Sequence, residues 1–175
     1  MTCEYCEINE GKMEAEIIYQ NDDLIVIVKD IGLTPGQMVV FPRQHFTIME
    51  MVPDELIGKC SVMANKVSIA CFDGLAAEGT NILIKNGTGG GQTVSHFGIE
   101  VIPRRSGDGI NLEWQPQQLD DADLDIVADH IKKGIEKSNK PKVEALKKEV
   151  IKEAEFKEVK TKSKNYLLKA LERVP

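Results

Sequence analysis

A glycine-rich segment followed directly by a patterned strand constrains the fold of this chain more than any other feature of its sequence. Four glycines occur within Asn86–Gly91, so backbone N–H groups can gather there around an anion. Residues 92–104 then show the two-residue periodicity of a β-strand. One face of that strand would carry Val94, His96, Gly98 and Glu100. The other would carry three apolar residues that suit a core: Phe97, Ile99 and Val101. The sequence therefore predicts a loop of phosphate size that leads into a strand with its chemistry on one face.

The rest of the first 115 residues is predicted to be a sheet with one long helix. Apolar runs bounded by turn residues predict strands at Ala15–Tyr19, Leu24–Lys29, Met38–Phe41 and Thr80–Lys85. A helix with a single apolar stripe is predicted to start at Pro53 and to stop near Gly74. A last edge strand is expected at Asn111–Gln115. Because strands joined by short loops pair antiparallel, we predict an α+β domain with an antiparallel, meander-like sheet and a crossing helix.

The carboxy-terminal part of the chain is predicted to be helical and differs in charge from the rest. Two aspartates at 120–121 can cap a helix with an apolar stripe, and two more helices are predicted after Pro141. The net charge of residues 131–175 is +7, although that of the whole chain is −6. We therefore predict a domain at residues 1–137 and a lysine-rich helical extension at residues 138–175.

The sequence also indicates the cellular location of the protein and the state of its cysteines. No apolar stretch is long enough to span a bilayer, and the amino terminus lacks the basic start and apolar run of a secretory signal. We expect a cytoplasmic protein without membrane contact, in which disulfides do not form. The four cysteines are then metal ligands or core residues. Cys60 and Cys71 fall on the stripe of the long helix, which favours buried, inert thiols.

Cys3 and Cys6 form a Cys-x-x-Cys knuckle at the amino terminus. Alone, this motif is compatible with zinc binding, with redox chemistry or with coincidence. His45 and His96 lie beside the predicted strands, and together with the two thiolates they can complete a tetrahedral Cys2His2 zinc site. Alternatively, the cysteines lie in a frayed terminus and the histidines have unrelated roles. The sequence separation of the four residues leaves both interpretations open.

Several separated motifs together resemble the histidine triad superfamily. The segment similar to its active site comprises Asn86, the run Gly91-Gln92-Thr93-Val94-x-His96, and Val101-Ile102-Pro103-Arg104. The other similar segments follow the family order: Cys3-x-x-Cys6, Asp30-Ile31 with Thr34-Pro35-Gly36, residues 39–45, and Trp114-x-Pro116. The resemblance covers roughly residues 1–137. It implies the family's α+β fold and a two-fold homodimer.

The resemblance also implies a zinc ion and a nucleotide or related phosphate ligand. Zinc-bearing members use paired cysteines and two histidines, which correspond here to Cys3, Cys6, His45 and His96. By the same resemblance, Asp30 would contact ribose hydroxyls, and the phosphate would be bound from the glycine loop. The phosphate-binding residues would be Asn86, Gly91, Gln92 and Thr93.

The catalytic positions depart from the family pattern. The family has His-x-His-x-His, and its middle histidine attacks the α-phosphate. Here the three positions are His96, Gly98 and Glu100. Gly98 has no atom that can attack, and a carboxylate at Glu100 opposes an anionic ligand. Gln37 stands where the family often has histidine. We therefore expect the usual covalent nucleotidyl hydrolysis to be absent, and we expect Gly98 to enlarge the cleft.

Three functions remain open from the sequence. The first is a catalytically silent protein that binds a nucleotide or related phosphate. The second is a hydrolase in which Glu100 activates water, with Arg104 or Lys85 as the compensating cation. The third is an interaction module in which the basic tail binds a partner or a nucleic acid. A lysine-rich helix is more often a solvated face, and this favours the first hypothesis over the third.

Overall fold

The computed structural model describes residues 3–112 and 115–138. The chain forms two compact units, residues 1–113 and residues 114–175. The elements of the first unit are α1 (Glu4–Asn9), β1 (Glu16–Gln20), β2 (Leu24–Val28), β3 (Met38–Pro42), α2 (Asp54–Leu75), β4 (Gly79–Leu83) and β5 (Ile99–Arg104). In the described part of the second unit lies α3 (Asp121–Ser138). No helix in the described residues is long and apolar enough to cross a membrane.

The five strands form one antiparallel sheet in the order β1-β2-β3-β5-β4. The first three strands are a meander, as predicted. The 22-residue helix α2 then carries the chain across β3 and β5 to the far edge. β4 forms that edge, and β5 returns between β4 and β3. The predicted antiparallel pairing of β4 with β5 is confirmed, and the crossing helix explains why the meander stops at β3.

The sheet is covered on both faces, and the continuous apolar run of β2 reflects this. Leu24 and Val26 join the core under α2, whereas Ile25 and Ile27 join a second cluster under α1. The strand buried on both faces is therefore confirmed. The core under α2 also contains the three apolar residues predicted for that face: Phe97, Ile99 and Val101.

The two helix cysteines are buried thiols, as predicted. Cys60 and Cys71 both lie in the core under α2 with no exposed surface. Burial raises the pKa of Cys60 to about 11 and also raises the pKa of Cys71. Neither thiol is poised for chemistry.

The predicted strand at residues 92–104 is wrong in its first half. β5 begins only at Ile99, and residues 92–98 are irregular. The side-chain amide of Gln92 explains the difference, because its Nε2 donates to the carbonyls of Thr47 (2.7 Å) and Val94 (2.8 Å). These bonds hold the segment in a folded loop instead of an extended strand.

The remaining boundaries need smaller corrections. Residues 111, 112 and 115 lie outside any strand, so the edge strand predicted at Asn111–Gln115 does not form there. α2 extends to Leu75 and ends at Ala76, whose φ of 50° is left-handed. A helix at residues 121–138 is confirmed. The helices predicted after Pro141 lie outside the described residues.

Candidate metal centre and ligand cleft

Four side chains with soft ligand atoms meet at one end of the sheet. The nearest ligand atoms of Cys3, Cys6, His45 and His96 all lie within 4.8 Å of one another. Cys6 Sγ is 3.2 Å from His45 Nδ1 and 3.7 Å from His96 Nδ1, and Cys3 Sγ is 3.4 Å from His96 Nδ1. The structure therefore brings together all four residues that the sequence predicted as ligands.

Local structure explains how these residues converge. Cys3 is the N-cap of α1, and Cys6 lies one turn later on that helix. Tyr5 and Ile8 on α1 are buried against the sheet, and this packing fixes the helix on that face. His45 follows the end of β3, and His96 precedes β5. The alternative interpretation, in which the cysteines lie in a frayed terminus, is therefore wrong.

His96 is held in the state that a metal ligand requires. Its ring is 3% exposed, and its Nε2 lies 2.9 Å from the carbonyl oxygen of Pro42. Donation from Nε2 leaves the Nδ1 lone pair directed at the two thiols. Burial lowers the pKa of His96, so the neutral imidazole that can bind a metal is favoured.

The spacing of the four ligand atoms fits a tetrahedral zinc ion. Bond lengths of about 2.3 Å to sulfur and 2.0–2.1 Å to nitrogen place neighbouring S and N ligands roughly 3.6 Å apart. The three measured S–N separations span 3.2–3.7 Å. Burial and the neighbouring Cys3 thiol raise the pKa of Cys6 to about 11, so its thiolate needs a nearby cation. The donor types and these three separations are compatible with a metal ion bound by the four residues.

A small cleft lies beside this cluster, on the face of the sheet that α1 covers. Its volume is about 20 Å³, which is room for about one water molecule. The residues that line it are Tyr5, Val39, Lys85, Gln92, Thr93, Val94, His96, Gly98 and Glu100. The four residues predicted for one strand face therefore share this cleft, even though half of that strand is a loop.

Gly98 does not enlarge the cleft, contrary to our expectation. A Cβ atom at this position would lie 3.0 Å from Val39 Cγ1 and 3.6 Å from Tyr5 Cε2. The Tyr5 ring stacks on Phe41 with centroids 4.5 Å apart, so it closes over the space beside Gly98. Val39 and Tyr5 therefore fill much of the space that a side chain at position 98 would occupy.

Glu100 is a buried carboxylate with three partners. The residue is 8% exposed. Lys85 Nζ lies 3.1 Å from Oε2 and 3.2 Å from Oε1. Gln37 Nε2 donates to Oε2 at 3.0 Å, and Lys29 Nζ lies 3.9 Å from Oε1. Lys85, one of the two cations considered in the hydrolase hypothesis, is therefore paired with the Glu100 carboxylate itself.

Arg104, the other cation considered in the hydrolase hypothesis, belongs to a different network. Its guanidinium forms an ion pair with Asp108 at 2.6 Å and donates to Asn81 Oδ1 at 2.5 Å. This ion pair holds the pKa of Asp108 well below its usual range. Arg104 therefore orders the loop after β5 and makes no contact with Glu100 among the described residues.

Sequence reasoning noticed Gln37 and Glu100 separately, but the structure joins them. Gln37 is 2% exposed, and its Oε1 accepts a hydrogen bond from the Leu33 N–H at 2.6 Å. The two departures from the family pattern thus form one hydrogen-bonded unit. The approach of Lys29 was missed altogether, because a lysine at a strand end gives no signal that distinguishes it from a surface residue.

The residues predicted to contact a nucleotide are dispersed. Asn86 Oδ1 accepts from the Met49 N–H, and its Nδ2 donates to Glu50. Gln92 is bonded within the loop, and its Oε1 accepts from the Gly87 N–H. Gly91 is open on the loop, with a φ of 79°. Of the five predicted residues, Gln92 and Thr93 line the cleft.

Asp30, the predicted ribose contact, lies in a neighbouring cavity of about 190 Å³. It is exposed, and its Oδ1 accepts from the Ile31 N–H at 2.9 Å. Tyr5 lines both this cavity and the cleft. The ring therefore stands between the two spaces that a nucleotide would span.

An antiparallel α+β sheet with a crossing helix and a possible Cys/His metal site at one end is the arrangement expected from the resemblance to the histidine triad superfamily. Comparison with known proteins agrees, because residues 10–107 match the HIT domain family. This chain belongs to that family.

Individual relatives have the same family name. An uncharacterized HIT-like protein of Saccharolobus solfataricus is 32% identical over 106 residues, which cover 61% of this chain and 76% of the relative. An uncharacterized HIT-like protein of Methanocaldococcus jannaschii is 28% identical over 74% of this chain and 98% of its own length. A Zn-bound histidine triad family protein from Mycobacterium smegmatis has a similar solved structure. It has 30% identity and a TM-score of 0.61, over 67% of this chain and 85% of that one.

Proposed function

We propose that this HIT-family protein holds a structural zinc ion and binds a nucleotide or related phosphate ligand without covalent catalysis. The observation that carries this proposal is the contrast within one segment. His96 faces two thiols, whereas Gly98 and Glu100 offer no free nucleophile to the cleft. The histidine that remains is committed to the metal cluster.

Zinc is supported by the donor set. Two thiols and two imidazoles with separations near those of a tetrahedron favour zinc over hard cations, which prefer oxygen ligands. Cys3, Cys6, His45 and His96 would hold the ion, and it would supply a cross-link between three segments. With four protein ligands, no position is left for a catalytic water. Elemental analysis of the purified protein should give about one zinc per chain, and a metal-free, fully stable protein would contradict this part of the proposal.

Loss of covalent catalysis is supported by the surroundings of Gly98. Nucleophilic catalysis needs a positioned, activated atom, and none of the cleft-lining residues takes the place of the missing histidine. Tyr5 is the nearest ring, but burial raises the pKa of its hydroxyl. A protonated phenol is a poor nucleophile at neutral pH.

Calorimetric titration tests ligand binding directly. AMP, GMP and dinucleotides should each be titrated into the zinc-loaded full chain, with Thr93→Val as a variant that alters only a cleft-lining hydroxyl. We expect measurable binding that weakens in the variant. Absence of heat for every nucleotide at millimolar concentration would overturn the proposal.

The hydrolase hypothesis is less well supported by the contacts of Glu100. A general base must reach the water that it deprotonates, and both oxygens of this carboxylate are bonded to Lys85 or Gln37. A phosphatase, pyrophosphatase and phosphoramidase panel separates the two hypotheses. Activity that is present in the wild type and lost in Glu100→Gln would favour the hydrolase.

We also propose that the protein forms a homodimer through the β4 edge and α2. In the described sheet β4 pairs only with β5, which leaves its other edge free. Ile82 on β4 is 47% exposed, and Ile69 and Phe72 on α2 are 54% and 46% exposed. Ile82→Lys should convert a dimer to a monomer in light scattering, and an unchanged mass would contradict the interface.

A role of the basic extension in binding nucleic acid stays a secondary hypothesis, because it depends on residues outside those described.

A further inference from the structure

Two lysines and one carboxylate meet at the inner edge of the cleft. The Glu100 carboxylate contacts Lys85 Nζ at 3.1 Å and lies 3.9 Å from Lys29 Nζ. The side chain of Glu100 is 11% exposed, and those of Lys29 and Lys85 are 24% and 36% exposed. The three charges are thus partly removed from water, where their interactions are stronger than at the surface.

The charge balance of this group is positive. Two ammonium groups face one carboxylate, and the third partner, Gln37, is neutral. Lys85 and Gln37 donate hydrogen bonds to the carboxylate oxygens, and Lys29 adds a positive charge at ion-pair distance. A phosphate or sulfate presents oxygens of the same kind, so the same donors are suited to an oxyanion.

The two lysines also connect the two spaces described above. Lys85 lines the cleft together with Thr93, and Lys29 lines the neighbouring cavity, whose other charged residues are Glu4, Glu14, Glu16 and Asp30. Glu100 lies between the two ammonium groups. An anion that reaches both lysines must therefore take the place of the carboxylate or compete with it.

We propose that Lys85 of the cleft and Lys29 of the neighbouring cavity are anion-binding residues on either side of Glu100, and that the Glu100 carboxylate is an internal anion that competes with the ligand. The ligand class is a small oxyanion, such as inorganic phosphate or the terminal phosphate of a larger molecule. This inference rests on the proposed phosphate-binding function and gives it residues that the family resemblance does not supply. In this view the Glu100 carboxylate sets the affinity of the cleft for its anionic ligand, because the ligand must compete with it for the two lysines.

Removal of the carboxylate charge tests the proposal. Glu100→Gln keeps the shape of the side chain and frees both ammonium groups. Inorganic phosphate and sulfate should bind this variant about tenfold more tightly than the wild type, or better, in calorimetric titration. Binding should fall with added salt, because the gained interaction is electrostatic. Adding Lys85→Met to Glu100→Gln should abolish the gain.

Matched controls separate the cleft from general charge effects. Glu55→Gln and Lys59→Met change the same charges at an exposed ion pair on α2, and they should leave phosphate and sulfate affinity unchanged. Equal affinity of the wild type and Glu100→Gln for both anions overturns the inference. So does a gain that persists without Lys85, because another group would then bind the anion.

A second measurement works on the unmodified chain, in case Glu100→Gln does not fold. Phosphate should slow acetylation of Lys29 and Lys85, measured by mass spectrometry, and should not affect Lys59. Equal protection of all three lysines, or of none, contradicts the proposal. Nucleotide binding by the wild type with unchanged phosphate affinity in Glu100→Gln would leave the proposed function standing and remove this inference. Anion binding that appears only in Glu100→Gln would do the reverse.

Discussion

The metal cluster and the cleft are neighbouring polar sites on the same face, yet they are built in opposite ways. In the cluster, two thiols and two imidazoles converge with their ligand atoms turned toward a common point. In the cleft, the polar side chains are turned toward one another, and Glu100 is bonded to Gln37 and Lys85. The first arrangement turns its ligand atoms toward a position that the proposed zinc ion would fill, whereas the polar groups of the second bond to one another. Residues of one short segment, from His96 to Glu100, contribute to both.

This difference suggests a division of roles. A cluster that requires a cation ties stability to metal loading. In the cleft, Glu100 already occupies the hydrogen-bond donors of Lys85 and Gln37. Few donors are left for a ligand, so a bound anion must compete with Glu100 for them.

The largest effect is expected from removal of the metal. A structural zinc site contributes on the order of 10 kcal/mol of binding free energy in small domains, and part of it should appear here as stability. Cys6→Ser, or chelation of the wild type, should lower the melting temperature by about 10 °C or more. Cys60→Ala removes a buried thiol elsewhere and serves as the control. It should lower stability through packing while the zinc content stays unchanged.

Acid should act in the same direction on the cluster. The folded-state pKa of His96 is lowered by burial, so the unfolded chain binds the proton more readily. The stability due to this group is therefore complete above the ordinary histidine pKa and is lost as the pH falls through it. Protons also compete with the metal for the ligands. The melting temperature should be measured from neutral to mildly acidic pH. A rise on acidification would contradict the predicted contribution of His96.

An intermediate effect is expected from Gln37, which links the cleft network to the backbone. Gln37→Leu leaves the Leu33 N–H without its acceptor and Glu100 with one donor fewer. The free energy of unfolding, measured by chemical denaturation, should fall by about 2–3 kcal/mol. In the double variant with Glu100→Gln, the loss of unfolding free energy should differ from the sum of the two single losses by about 1 kcal/mol or more. Gln20→Leu, at an exposed amide, should change stability by less than about 0.5 kcal/mol. Additive losses would show that Gln37 and Glu100 are not one unit.

The smallest effect is expected at Gly98. Alanine there places a methyl group 3.0 Å from Val39 Cγ1, and the crowding should cost about 1 kcal/mol. Val39→Ala removes the crowded methyl group. In a double-mutant cycle, the Gly98→Ala/Val39→Ala variant should therefore be more stable than the sum of the two single losses predicts. Gly79→Ala is the matched control, because a Cβ at that position meets no atom within 4 Å. A stabilised Gly98→Ala would mean that the space beside Tyr5 is truly free.

The fold and the metal cluster could largely be predicted from the sequence, and the reason is chemical. β-branched runs and a single apolar helix stripe leave few alternatives to an α+β sheet. Cysteine and histidine are rare and are the preferred ligands of zinc, so Cys3, Cys6, His45 and His96 attract attention even when far apart. The meander was correct only as far as β3, because periodicity does not say where a strand that follows a helix inserts.

The cleft could not be predicted to the same extent. Lysine, glutamate and glutamine are common at surfaces, and nothing in the sequence shows that Lys29 approaches Glu100 or that Gln37 bonds to it. The loop before Ile99 was missed for a related reason. Its shape is set by hydrogen bonds from Gln92 to segments elsewhere in the chain, such as Thr47, and such long-range bonds leave no mark in local periodicity.

The position of α1 has a consequence for the order of folding. Cys3 and His96 lie 93 residues apart in sequence, so the cluster cannot close until most of the first unit has been synthesised. The β1–β2–β3 meander has only local connections and can pair earlier. α1 precedes the meander in the chain and yet is locked in place after it. Until that moment the face formed by Ile25, Ile27, Val39 and Phe41 lacks its cover, and binding of the proposed zinc ion should shorten the time for which this apolar surface is open to aggregation.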